Sequence, residues 1–321
     1  MSVYTELTLQ ELQKFTNQFD LGHLKAFKGV EAGVENTTYF VSLTNQETVL
    51  QIFEEQGFEE IPFFVELNRR LGYDGVPVAT PIANINGERL FTLKQKPAVL
   101  YPRLKGSPLT SPNPHACNQI GRMLGRMHIA SIQYKDLKRE NHRWNLWWES
   151  NVSRVLNLVQ DNYQQLLIDQ ITRSKPFINM AKKLPNGIIH GDLFVDNVLF
   201  DGDTLAGIID FYNACNGAFI FDLAIAVNDW CSGPDGRLIN DSTKSLVAGY
   251  QEERALTDDE LSIWALALET AALRFWMLRL VALARKREGG PKAPPHVKDP
   301  NDFLAILLAR RSDPQCDLIS N

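Results

Sequence analysis

The sequence has little with which to build a zinc, redox or membrane protein. Its four cysteines, Cys117, Cys215, Cys231 and Cys316, stand far apart and form no C-x-x-C pair, which argues against a zinc knuckle or dithiol centre and leaves free buried thiols. The six histidines show neither H-x-x-x-H nor H-E-x-x-H spacing, which removes a zinc hydrolase; any metal should be held by oxygen. No apolar run reaches membrane-spanning length, and residues 1–15 lack the basic start and apolar core of an export signal. A cytoplasmic chain with no membrane partner is expected. A formal net charge of −5 offers no basic surplus for a phosphate backbone, so nucleic acid is not an expected partner. Also missing is a G-x-G-x-x-G run: Gly33 stands alone in the turn Glu31-Ala-Gly-Val-Glu-Asn36.

What remains is a chain of 321 residues with 44% hydrophobic content, enough to bury a sizeable core and to leave no long disordered tract. Thr38 to Leu43 and Thr48 to Phe53 are β-rich runs around the polar turn Thr44-Asn-Gln-Glu47 and read as a hairpin. Phe63 to Leu71 has helical spacing, and Val78 to Ile85, Arg89 to Leu93 and Ala98 to Tyr101 read as further strands. From Asn113 the periodicity turns helical, over Cys117 to Ile129, Trp144 to Lys183 and Thr257 to Arg287. The fold class is α+β. A small, mainly β lobe with one helix is expected over residues 1–100 and a larger, mainly helical lobe over 107–321. Tyr101 to Pro114, in which five of fourteen residues are Pro or Gly, supplies the join, with a hinge at 101–106. Arg285 to Pro295 reads as a solvated basic loop after a helix.

Chemistry concentrates in Gly187 to Phe211, where two short apolar strands frame a polar loop. Phosphoryl transfer needs a carboxylate to orient and deprotonate the attacking hydroxyl, and oxygen ligands for the magnesium that neutralises nucleotide phosphates. Asp192 precedes Asn197 by five positions, the spacing of the catalytic loop H-R-D-x-x-x-x-N, and Asp210 ends the next apolar run where a second metal ligand belongs. Asp192 is therefore the candidate base, with Asn197 and Asp210 the candidate magnesium ligands. Asp196, Asp201 and Asp203 read as turn formers, and His190 as a brace of the loop.

His190-Gly191-Asp192 with Asn197 resembles the aminoglycoside-phosphotransferase and choline-kinase superfamily, in which Gly or Ala replaces the arginine of protein kinases. The longer string His190 to Phe200 is similar to the signature of the bacterial homoserine kinases of that fold. Phe221-Asp-Leu-Ala-Ile-Ala-Val-Asn-Asp-Trp-Cys231, Gly33 to Phe40, Ala271-Ala-Leu-Arg-Phe-Trp276 and Lys298-Asp-Pro300 look like further landmarks of the same branch. The resemblance implies a bilobal, protein-kinase-like fold, ATP and Mg2+ as cofactors, and phosphorylation of an amino-acid hydroxyl. It places the nucleotide between the lobes, under the Gly33 turn and against the backbone from Leu100 and Tyr101 to Leu104. It also exposes a departure: Gln51 stands where a phosphate-binding lysine is expected, and its amide could hydrogen-bond a phosphate oxygen instead. Glu66 falls near the position of the glutamate that pairs with that lysine.

Homoserine as acceptor needs a guanidinium for its carboxylate and an acidic or carbonyl group for its ammonium. Arg139 and Arg143, before Trp147-Trp148, and Arg274 and Arg279, around Trp276, are the carboxylate candidates; Asp229 is the ammonium candidate; Asp222 is expected to support the catalytic loop. Choline or ethanolamine kinases and aminoglycoside kinases share the machinery, and a nucleotide-binding pseudokinase is the alternative that Gln51 raises. No feature of the sequence speaks to oligomeric state.

Overall fold

The computed structural model describes residues 4–30, 36–289 and 297–312. The chain divides into two compact units, the first running to Lys105 and taking in Gly207–Ile209, the second made of Gly106–Ala206 and most of the chain from Asp210.

In the first unit, β1 (Leu24–Gly29), β2 (Thr37–Leu43), β3 (Glu47–Ile52), β4 (Phe91–Leu93) and β5 (Lys96–Pro102) form an antiparallel sheet in the order β1-β2-β3-β5-β4. Alternation along β2 and β3 sends Tyr39, Val41, Leu43, Leu50 and Ile52 into one core, as the two-residue period of a pleated strand requires. Helix α1 (Leu9–Thr16) adds Leu12 and Phe15 to it, and the rings of Phe15, Phe19 and Phe91 meet edge to face at 5.1 to 5.4 Å. Helix α2 (Ile61–Tyr73) buries Ile61, Phe64, Leu67 and Leu71.

Three expectations are corrected here. This unit holds two helices, not one: α1 opens with a capping box in which Glu11 N donates to Thr8 Oγ1 at 3.3 Å and Thr8 N donates to Glu11 Oε2 at 2.9 Å. Val78 to Ile85 is not a strand, since Pro77 and Pro81 remove ladder donors; Val78 makes one bridge to Ile208, and Ile82 N donates to Leu100 O at 2.8 Å. The last strand continues to Pro102, because Val49 and Thr48 of β3 still pair with Tyr101 and Pro102, so residues 101 and 102 belong to the sheet.

The second unit contains α3 (Pro114–Ser131), α4 (Asn145–Val155), α5 (Asp161–Arg173), α6 (Lys175–Ala181), the strands β6 (Asn186–Ile189), β7 (Val198–Asp201), β8 (Thr204–Ile208, its last two residues counted with the first unit) and β9 (Cys215–Ala218), then α7 (Phe219–Trp230), α8 (Asn240–Glu253), α9 (Asp258–Ser262), α10 (Trp264–Glu288) and α11 (Pro300–Ser312). β6 pairs with β9, and β7 with β8. Helix α7 is apolar nearly all round, the mark of a helix buried on every side; Asp229 is its one residue not fully buried. It packs on α10 and touches α3 and α8. Helices α3 and α8 approach backbone to backbone through glycine: a Cβ on Gly121 would lie 2.0 Å from Leu246 O, and one on Gly249 would lie 2.3 Å from Asn118 O. Cys117, Cys215 and Cys231 are free and buried. Cys316 and most of the basic loop lie outside the described residues, whereas Arg285, Lys286 and Arg287 are the last turn of α10. No helix among the described residues is long and apolar enough to cross a membrane.

Candidate active site

β6 ends at Ile189, and His190, Gly191 and Asp192 follow as a tight loop. Gly191 has φ +75°, and a Cβ there would lie 2.7 Å from Asn213 O; both the dihedral and the close approach demand glycine. Phe194 N donates to Asp192 O at 2.8 Å, and a short 3₁₀ turn, Val195–Asn197, brings Asn197 back so that its Nδ2 donates to the same carbonyl at 2.8 Å. The five-residue spacing thus closes a small loop whose ends are tied to each other. The β7–β8 hairpin returns the chain to Asp210, which adopts the left-handed conformation, φ 65° and ψ 58°, and is exposed. Holding a non-glycine residue there costs about 1–2 kcal/mol, and such strain gathers at functional positions. The 3₁₀ turn Phe211–Asn213 then carries Asn213 back to the loop, where its Nδ2 donates to Asp192 Oδ2 at 3.3 Å.

Helix α7 holds the loop from behind. In its first turn Asp222, fully buried, accepts from His190 N at 2.7 Å and from Gly191 N at 2.8 Å. Burial opposes its ionisation, but the hydrogen bond from His128, with the charges and N–H donors around it, holds its carboxyl below the usual carboxylate value. In the last turn Asp229 Oδ2 accepts from Val195 N at 2.7 Å, and Trp230 Nε1 donates to Leu193 O at 3.0 Å. Asp229, the ammonium candidate, uses this carboxylate oxygen to brace the turn that carries Asn197. Burial pushes its pKa up to about 6.

A further layer behind Asp222 escaped the sequence. His128 Nε2 lies 3.1 Å from Asp222 Oδ2 and its Nδ1 lies 2.8 Å from Tyr250 Oη, while Arg254 Nη1 donates to that oxygen at 2.9 Å and Nη2 reaches both Glu260 oxygens at 2.9 Å. Arginine only donates, so the Tyr250 hydroxyl proton points to His128 Nδ1, and His128 donates from Nε2 to Asp222. Burial keeps this histidine neutral, its pKa below the ordinary value. Its ring stacks on Phe219 at 4.4 Å. The glycine contacts between α3 and α8 bring His128 and Tyr250 together; nothing local in the sequence marks residues so far apart as partners.

The remaining expected residues separate. Arg143 is half-buried and its Nη1 donates to Asn213 Oδ1 at 2.9 Å; Arg139 Nη1 donates to Ala214 O at 3.0 Å, next to the same turn. Both stand beside the loop. Arg274 is 1% exposed, and its Nε and Nη1 meet no hydrogen-bond partner among the described residues. It lies under Gly191, with its charge close to Asp192 and Asp222, and burial lowers its pKa. So enclosed, it is a buried positive charge beside the loop. Arg279 is taken by α11, donating to Asp302 Oδ2 at 2.7 Å and Asp299 O at 2.6 Å. Of the two carboxylate candidates on α10, one is thus enclosed and the other engaged at α11. His190 is buried with its ring against Phe211, 4.6 Å between centroids.

In the first unit, Gln51 lies on β3 opposite Thr38 and Val99, on the half-buried face it shares with Val49. Leu100 and Tyr101 lie on β5 opposite Leu50 and Val49, and Leu104 follows the strand. Glu66 pairs with Arg69 and Arg70 of its own helix, at 2.7 and 2.6 Å, and these bonds, led by Arg69, hold its carboxyl down at about 2. Gly33 lies outside the described residues.

The loop chemistry has counterparts elsewhere. A model of the phosphotransferase enzyme family matches residues 26–256. A homoserine kinase of Neisseria meningitidis serogroup B is 40% identical over 309 residues, covering 96% of this chain and 99% of that protein, and one of Pseudomonas aeruginosa is 38% identical over 318 residues, covering 99% of each. Among solved structures, an amicoumacin kinase in complex with AMP-PNP and Ca2+ superposes with a TM-score of 0.69 at 18% identity, covering 96% of this chain and 93% of that one, a likeness of fold. The fold expected from the sequence, a mainly β first part and a mainly helical second part of kinase-like type, is the fold of these neighbours. The chain belongs to the phosphotransferase enzyme family, in the branch that contains these homoserine kinases.

Proposed function

We propose that the chain transfers the γ-phosphoryl group of ATP to the side-chain hydroxyl of L-homoserine, giving O-phospho-L-homoserine and ADP, a step toward threonine. The acceptor is carried by the near full-length likeness to homoserine kinases. The chemistry rests on the loop in which Asn197 and Asp192 are tied together.

In this reading Asp192 orients the acceptor hydroxyl and takes its proton as the oxygen attacks phosphorus in line with the leaving ADP. Asn197 and Asp210 are the metal ligands: Asn197 turns its Nδ2 to the Asp192 carbonyl, which leaves Oδ1 as its ligating atom, and Asp210 presents an exposed carboxylate. Two hard oxygen donors would suit magnesium, which is commonly bound through few protein ligands; no cluster of three His, Cys, Asp or Glu among the described residues competes as a self-sufficient site. Magnesium, when bound, offsets the charge that builds on the phosphate oxygens. Asp222 and Asp229 fix both halves of the loop, so the base and Asn197 are pre-set. Arg139 and Arg143, beside the turn that ends at Asn213, are assigned to the acceptor carboxylate, and Gln51 to a phosphate oxygen in place of lysine.

The test is ADP release from Mg-ATP with L-homoserine, choline, ethanolamine and kanamycin as separate acceptors, with Asp192→Asn alongside. Turnover with homoserine that disappears in Asp192→Asn is expected. Turnover with another acceptor only would refute the substrate, and ATP binding with no acceptor at all would favour a pseudokinase.

A further inference from the structure

Asn213 has no assigned task, yet its amide touches the side chain of the candidate base. Its amide lies between two groups. On one side Arg143 Nη1 donates to Oδ1 at 2.9 Å, and on the other Nδ2 donates to Asp192 Oδ2 at 3.3 Å. The two ends of an asparagine amide look alike, but here the chemistry assigns them. A guanidinium has no acceptor, so the amide atom that faces Arg143 must be oxygen. The atom facing Asp192 is then necessarily the nitrogen, a donor, and the carboxylate oxygen is its acceptor.

We infer that Asn213 is a positioning residue for the base: clamped by Arg143, it pins Asp192 Oδ2 and so sets the direction in which the carboxylate meets the acceptor hydroxyl. The inference rests on the proposed role of Asp192. Two backbone features support a dedicated arrangement. Asn213 ends the 3₁₀ turn that starts directly after Asp210, so the segment bearing one candidate metal ligand also delivers the amide to the base. Its own carbonyl sits 2.7 Å from where a Cβ of Gly191 would be, so the glycine of the His-Gly-Asp motif is what lets this turn close on the loop. Rotation about χ2 otherwise leaves a carboxylate broad freedom, and one hydrogen bond to a fixed amide removes much of it. An aspartate at position 213 separates orientation from mere support. It has the size of asparagine and offers Arg143 a stronger acceptor, but it cannot donate to Asp192 and turns a carboxylate toward it instead.

The experiment measures kcat and KM for both substrates in Asn213→Ala, Asn213→Asp and Asp192→Asn, with thermal melts for each. Expected are a fall in kcat on the order of 10- to 100-fold for Asn213→Ala with KM for ATP unchanged, and no better turnover for Asn213→Asp despite a melt like the wild type. Wild-type kcat in Asn213→Ala, or recovery of kcat in Asn213→Asp, would overturn the inference. If Asn213→Ala does not fold, the aspartate variant decides by the same criterion. An inactive Asp192→Asn beside a fully active Asn213→Ala would sink the positioning role alone, whereas an active Asp192→Asn would remove the base and the inference with it.

Discussion

The two ends of α7 carry the same residue for the same task and differ in electrostatic state. Asp222 and Asp229 are seven residues apart, two helical turns, and each accepts backbone N–H groups of the catalytic loop. Asp222 lies at the positive, N-terminal end of the helix, takes two N–H donors and is backed by His128; it stays ionised although it is fully buried. Asp229 lies at the C-terminal end, where the dipole disfavours an anion, and accepts one N–H; burial lifts it to about 6, with Lys298 and Arg279 pulling the other way. The lesson is that a helix can anchor one half of a loop with a permanent charge and the other half with a titrating one.

The most severe way to break this comparison is Asp222→Ala. It leaves His190 N, Gly191 N and His128 Nε2 facing a gap, and a loss of about 3–5 kcal/mol of stability is expected in urea denaturation, with turnover abolished. His128→Phe keeps the stack on Phe219 but removes the bond to Asp222 and strands the Tyr250 hydroxyl; about 1–3 kcal/mol should be lost by the same assay.

Asp229→Asn sharpens the contrast through pH. Because the folded pKa of Asp229 is raised, its contribution to stability is full below the ordinary value near 3.8 and is lost as pH rises through about 6. Asp222 has the opposite sign, its contribution being present above that value and lost as pH falls through its lowered folded pKa. Denaturation from pH 4 to 7 should therefore show a decline in the wild type that Asp229→Asn flattens, since asparagine still accepts from Val195 without titrating. An unchanged slope would mean that Asp229 is not the titrating end. The smallest effect is expected for Lys298→Ala, whose exposed ion pair with Asp196 is worth at most about 0.5 kcal/mol; a melt indistinguishable from wild type is the expected reading.

Legibility in the sequence followed distance along the chain. His190, Asp192 and Asn197 fall within one short loop, whose length alone keeps them near one another, and Asp210 follows at the end of the next hairpin. Asp222 stood out as the acid of a resembled landmark. Helix α1 carries a readable signal, the capping box of Thr8 and Glu11, but at eight residues it is short beside the β-rich runs that follow. Val78 to Ile85 misled because apolar content outweighed Pro81 within it and Pro77 just before it, which deny a ladder its donors. Arg274 and Arg279 sat on a helix of the right character, but which face of α10 meets which neighbour is set by packing, and packing buried one and paired the other with α11.

By itself, then, the sequence determined the reaction class, the base and ligand candidates and the two-part architecture, because these depend on local spacing and on composition. Only the tertiary structure decided how the loop is held: Asp222 against His128, Tyr250 and Arg254, Asp229 under the 3₁₀ turn, and Asn213 between Arg143 and Asp192. Those partners come from α3, α7, α8 and the residue after it, the turn before β9 and the segment before α4. Their meeting depends on helices packed closely enough to exclude water, where a hydrogen bond must be made or its loss borne in full, and no spacing rule along the chain encodes that.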